Sequence, residues 1–222
     1  MSDQTTLNIG SDLNLIHLII TRGLAVSIDF SDQYLRKGFP NSSTKDGFIN
    51  YVNSLVTVLD AHHRLEDEIA FPGLKEKFPA APYDLLEKQH EEIVMILQDI
   101  KKIINQMDIT LKEPLKNLNS LLISLNELWH PHIKIEQEHF SDKNIARLIN
   151  FEEQLKLSQK FAEFGKENSK PEYYIVPFMI FNTTKPNREF FYRHMPPIVT
   201  QQLVPGEWRE KWTSMKPFLL EE

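Results

Sequence analysis

The chain has 222 residues, enough for one well-buried core with an appendage and too few for two large domains. Its 41% hydrophobic and 25% charged residues exclude an intrinsically disordered chain. A net charge of -6 without any Lys/Arg-rich run argues against a nucleic-acid partner, and the absence of cysteine removes disulfides, zinc–thiolate sites, iron–sulfur ligation and thiol nucleophiles together.

Any metal must therefore be held by His and carboxylate. The stretch Met1 to Thr6 lacks a basic start followed by an apolar run, and no segment reaches about 18 uninterrupted apolar residues. The expectation is a soluble, cytoplasmic protein with no membrane partner.

Ser11 or Asp12 reads as the N-cap of a first helix, with Leu13, Ile16, His17, Ile20, Leu24 and Ile28 recurring at spacings of three and four up to Gly38. A loop of turn formers, Gly38 to Ser43, precedes a second helix whose stripe is Phe48, Val52, Leu55, Leu59, His62, Glu66 and Ile69. Pro72-Gly73 disturbs its end. A third helix runs from about Tyr83 to Met107 with Leu86, His90, Ile93 and Leu97 in line. A fourth starts near Leu111 and carries Leu118, Leu121, Leu125, Leu128, His132, Ile135, Glu136 and His139; Pro131 inside it predicts a kink or a bulge.

A further helix is expected from about Asn144 to Glu167. From Ser169 the sequence turns rich in proline and aromatics, too apolar for disorder and too interrupted for long helices. The fold class is thus all-α: an up-down-up-down four-helix bundle with an additional helix (residues 1–168) and a C-terminal strap packed on it (residues 169–222).

His62 and Glu66 lie four residues apart, as do His132 and Glu136, so each pair presents a nitrogen and an oxygen from one helix face. His17 and His90 each lie about seven residues inside a helix start, and His62 and His132 about nine from a helix end. In this topology the four histidines reach one level at a depth of ~10–14 Å. Burying Glu66 and Glu136 without cations would cost on the order of several kcal/mol each, and no Lys or Arg lies on those stripes. The six residues His17, His62, Glu66, His90, His132 and Glu136 therefore read as metal ligands, the two carboxylates bridging two ions that each keep open positions. Iron, manganese and zinc all suit these donors.

The other histidines are read differently. His63 falls beside the stripe and flanks the site, His130 faces away from His132, His139 lies toward the bundle mouth, and His194 is structural. Asp67 and Glu91 read as solvated charges.

The segment from Ile16-His17 to Leu24, the run from His62-His63-Arg64-Leu65-Glu66 to Phe71-Pro72, the start Gln89-His90-Glu91, and His132 to Glu136 resemble the hemerythrin-like, or HHE cation-binding, domains over about residues 10 to 141. The resemblance implies a four-helix bundle holding a non-haem pair of iron ions bridged by an oxo or hydroxo group. The tail segments Met195-Pro196-Pro197, Pro205 to Trp208 and Met215 to Leu219 look like the extension of stand-alone fungal members.

The oxygen-carrying hemerythrins of marine worms have a histidine where this chain has Val94 and an aspartate where it has Gln137, which argues against simple oxygen carriage. The ligand set looks more like the family's iron sensors and its nitric-oxide-linked repair proteins, without the latter's cysteine-bearing appendage. The resemblance implies a protein that binds or reduces dioxygen, peroxide or nitric oxide. It also leaves open a di-iron oxygenase or oxidase with the strap as a pocket wall, and an iron-responsive module. The sequence names no redox partner.

Overall fold

Asparagine side chains open the first two helices. In the computed structural model, which describes residues 7–107 and 112–220, Asn8 accepts from the Gly10 amide and starts α1 (Ile9–Lys37), ahead of the cap expected at Ser11 or Asp12. Helix α1 stops at Gly38, whose φ of 74° is a conformation that side chains rarely adopt. Asn41 accepts from the Thr44 amide and starts α2 (Ser42–Leu65).

The chain then makes a π-helical turn, Glu66–Ala70, in which the Phe71 amide reaches back to the Glu66 carbonyl, and one α-turn, α3 (Phe71–Leu74). After α4 (Tyr83–Ile104), α5 (Lys112–His139) follows; its expected start, Leu111, lies outside the described residues. The bulge anticipated at Pro131 occurs instead in the second helix. Pro131 is exposed and α5 continues through it, because the carbonyl it leaves unbonded belongs to Glu127, which also faces solvent.

Among the described residues every regular element is helical. Helix α1 packs on α2 and α5, and α4 packs on the same two, which closes the up-down-up-down bundle. Helix α1 is long and apolar enough to cross a membrane by length and composition. Its Leu13, Ile20 and Leu24 are buried in the bundle instead.

The single helix expected after the bundle is split. Asp142–Leu148 forms α6, Ile149 is extended, and Asn150 and Glu153 form a reciprocal capping box that starts α7 (Phe151–Asn168). The break lets Ile149 be buried while Gln154 bridges it to α1: its amide donates to the Ile149 carbonyl, and its Oε1 accepts from Ile9 N. Ile145, Ile149 and Leu157 thereby join Ile9, Phe71, Leu74, Tyr83 and Phe140 in an apolar cluster separate from the main core.

The tail continues as α8 (Glu172–Phe181), α9 (Lys185–His194), a π-helical stretch Val199–Glu207, α10 (Arg209–Trp212) and a 3₁₀ turn Thr213–Phe218. Its last turn lies along α2. There Phe218 meets Phe30, Tyr34 and Phe48, near the end of α1 and the start of α2. Arg22 ties this turn down by donating to Tyr51 Oη, to Asn182 Oδ1 and to the Phe218 carbonyl, and Tyr51 donates to Asn182 at 2.7 Å.

Gly47 makes this packing possible, since a Cβ there would collide with the Ser214 carbonyl. Gly47→Ala should destabilise the protein by about 1–3 kcal/mol, lowering the unfolding midpoint by roughly 2–4 °C for each kcal/mol. Gly165→Ala, with nothing within 4 Å of the added methyl, should leave the midpoint unchanged or raise it. Equal midpoints for the two variants would show that the strap does not bear on α2 at Ser214.

Candidate metal centre

Four helices and the π-turn deliver six polar side chains to one layer toward the end of the bundle where α1 and α4 start. His17 comes from α1, His62 from α2, Glu66 from the first residue of the π-turn, His90 from α4, and His132 and Glu136 from α5; none is more than 5% exposed.

Each carboxylate spans the layer. Glu66 Oε1 faces His62 Nε2 at 3.4 Å and His17 Nε2 at 3.9 Å, while its Oε2 faces His90 Nε2 at 3.6 Å. Glu136 Oε2 lies 3.1 Å from His17 Nε2, while its Oε1 lies 3.3 Å from His132 Nε2 and 3.9 Å from His90 Nε2. Two donor groups result, His17 with His62, Glu66 and Glu136, and His63 with Glu66, His90 and His132, each with its ligand atoms within 4.8 Å of one another. Glu66 belongs to both.

The ring protons show what these atoms face. Asp67 lies 2.8 Å from His90 Nδ1, and a carboxylate only accepts, so Nδ1 carries the proton and Nε2 offers a lone pair. His132 Nδ1 donates to Gln89 Oε1 at 3.0 Å, so its Nε2 is bare as well. These two Nε2 atoms lie 3.1 Å apart, lone pair toward lone pair. That approach is repulsive unless a cation holds both.

The carboxylates tell the same story. Both Glu136 oxygens, Glu66 Oε2, His62 Nε2 and both nitrogens of His17 are buried without a hydrogen-bond partner, although oxygen and nitrogen come as close as 3.1 Å. Close approach without alignment is the arrangement of ligands aimed at a shared third point rather than at each other.

A family profile described as the hemerythrin HHE cation binding domain matches residues 13–143, more than half of the chain. The chain belongs to this family. No curated protein and no solved structure matches it.

The residues present fit the cation that the hemerythrin HHE family takes. Buried groups that lack partners here are imidazole nitrogens and carboxylate oxygens, the set that hard and borderline divalent ions accept once protons leave them. Electrostatics of the bare layer agree. Burial and the nearby Glu136 charge push the Glu66 carboxyl up to about 7. Burial would also raise Glu136, but the His132 and His17 rings outweigh it and hold that carboxyl well below its usual range. Burial disfavours charged His17, yet Glu136 and Glu66 carry it up to about 9; burial pushes His62 and His63 down. Protons thus do in part what a metal would do throughout the layer.

Several contributors differ from the sequence reading. His63, expected to flank the site, lies within the second donor group. Asp67 is exposed, as expected of a solvated charge, and in addition orients His90, while the role of Gln89 on His132 had no sequence signal. Trp129 closes the layer on the core side, its ring 5.6 Å from that of His17 and 6.0 Å from that of His132, with its N–H donated to Thr21. His130 and Glu91 are exposed, His139 borders a surface groove with Phe78 and Arg147, and His194 donates to the Phe190 carbonyl.

Proposed function

We propose that this hemerythrin HHE protein is a non-haem di-iron protein that binds or reduces a small ligand, namely dioxygen, peroxide or nitric oxide. His17, His62, Glu66, His90, His132 and Glu136 hold the metals, with both carboxylates shared. Bound iron would supply open coordination positions and electrons for such a ligand.

One observation carries the choice of ligand size. The cavity that touches His17, Glu66 and Glu136 has a volume of about 10 Å³, room for a single water-sized molecule. Its remaining walls are Gly10, Leu13, Asn14, Gln137 and Phe140, so no residue of the C-terminal strap lines it. An organic substrate would need a much larger cleft. Leu13 and Phe140 keep the approach apolar, and the Asn14 amide is occupied with Asp142 at 3.2 Å.

The purified protein should contain two irons per chain and show the near-ultraviolet absorption of a coupled ferric pair. Azide, a gas-sized anion, should shift that absorption, whereas a phenol of substrate size should not. Loading with zinc in place of iron and no such absorption would overturn the redox reading. A shift with the phenol alone would overturn the small-ligand reading and favour an oxygenase.

A further inference from the structure

His63 is a buried polar side chain for which the six-ligand reading has no use. It is 1% exposed, and both of its ring nitrogens are buried without a hydrogen-bond partner. A neutral imidazole has one donor and one acceptor, and a fold that buries both unmade would be better served by a phenyl ring of similar shape.

The ring is nevertheless held in one place. It stacks on His90 with centroids 4.0 Å apart and planes 14° from parallel, and its edge meets His132 at 5.2 Å. Phe71, delivered just after the π-turn, also stacks on His90, with centroids 5.6 Å apart and planes 13° from parallel. A ligand atom of His63 falls within 4.8 Å of ligand atoms of Glu66, His90 and His132, whose own free atoms converge there.

We propose that His63 is itself a metal ligand, joining Glu66, His90 and His132 on one ion. The end of α2 and the start of the π-turn then contribute three donors, His62, His63 and Glu66, with the two adjacent histidines serving different ions. The donors are shared unequally: His63, His90 and His132 serve one ion, and His17 and His62 the other. Coordination satisfies one of the two orphaned nitrogens, which no hydrogen bond in the structure does. This inference rests on the metal-centre reading above.

The full-length chain loaded with cobalt(II) gives a readout that does not depend on activity. Each coordinated imidazole that keeps its ring N–H adds one hyperfine-shifted, solvent-exchangeable proton signal. Wild type should show five such signals. His63→Phe, which keeps the ring stack and removes the nitrogens, should lose one of them, and its weaker metal site should bind more than roughly 100-fold less tightly, beyond what an outer contact costs. Four signals in wild type would overturn the assignment even if the variant did not fold. Two tightly held metals and an unchanged spectrum in His63→Phe would overturn it as well. A wild type that takes up no cobalt and no iron would instead overturn the metal-centre reading on which this one stands.

Discussion

Glu66→Ala is expected to abolish stable iron binding at both positions, while Glu91→Ala, its exposed acidic control beside His90, keeps two irons per chain. Glu66 puts one oxygen toward His17 and His62 and the other toward His90, so its removal takes a donor from each group at once. Loss of an outer contact to a metal ligand costs roughly 10–100-fold in affinity, and loss of a shared ligand should exceed the upper figure. Iron content by elemental analysis after gel filtration reads the difference directly.

A near-isosteric substitution at the same position separates the metal's role from that of packing. In the metal-free state the Glu66 carboxyl is a burden, as its displacement to about 7 by burial and Glu136 records. Metal-free Glu66→Gln should therefore unfold at or above the midpoint of metal-free wild type, although iron-loaded wild type exceeds both. Equal iron in Glu66→Ala and Glu91→Ala would show that Glu66 does not join the two ions.

The helices and the six converging residues were legible because both depend on local spacing. Helical stripes through His17, His90 and His132 carry their phase in the sequence, and a pair four residues apart needs no tertiary knowledge to share a face. What escaped depends on how the helices meet. Placing His63 inside the layer requires knowing that α4 offers the face of His90 beside it, which periodicity on α2 alone cannot say. Pro72-Gly73 marked a disturbed helix end just after the π-turn at Glu66–Ala70 without saying which form it takes, whereas Pro131 announced a distortion that an outward-facing helix side absorbed.

The split between α6 and α7 was a different kind of miss. Asn150 followed by Glu153 is a capping-box signal, but Ile145, Leu148, Phe151, Leu155 and Phe161 kept near-helical spacing across it. The structure resolves the conflict by burying Ile149 and leaving Phe151 exposed, which a continuous helix would not do. Of the strap, the proline count correctly forbade long helices. That it lies along α2 with its last turn at Phe30 and Phe48, away from the cavity at Gly10 and Phe140, needed the packing of Gly47 on Ser214.

Removal of the metal should loosen one end of the bundle and reverse its response to pH. A ligand present at a hundred times its Kd holds the folded state by about 2.7 kcal/mol, so chelation should speed amide exchange around His17, His62, His90 and His132 by up to about a hundredfold. Exchange near Ser31, Val52, Ile104 and Leu118 should stay slow, because those buried positions lie in or beside the main core, away from the polar layer. The signs for the bare layer follow from proton uptake. His62 and His63 are held below 6.5, so the unfolded chain gains protons on them first, and stability is lost as pH falls through 6.5. Glu66 is raised from 4.5 to about 7, so the folded state holds its proton longer and stability falls as pH rises across that window. His17 is raised from 6.5 to about 9, so its contribution is full below 6.5 and is lost as pH climbs to about 9. Two histidines outweigh one carboxylate below 6.5, and both remaining groups act downward above it. Asp12, raised to about 6 by burial, cancels the remainder below that value, so metal-free protein should gain stability between about pH 6 and 6.5 and decline toward pH 9. The loaded protein should not decline, because metal displaces those same protons and binds more tightly as they leave. Thermal unfolding of both forms from pH 5 to 9 would measure this, and parallel profiles would mean that His17 and Glu66 do not give up protons to the metal. Uniform loss of exchange protection along all four helices would instead show that the apolar core cannot hold the bundle alone, the behaviour of an iron-responsive module that folds with its metal.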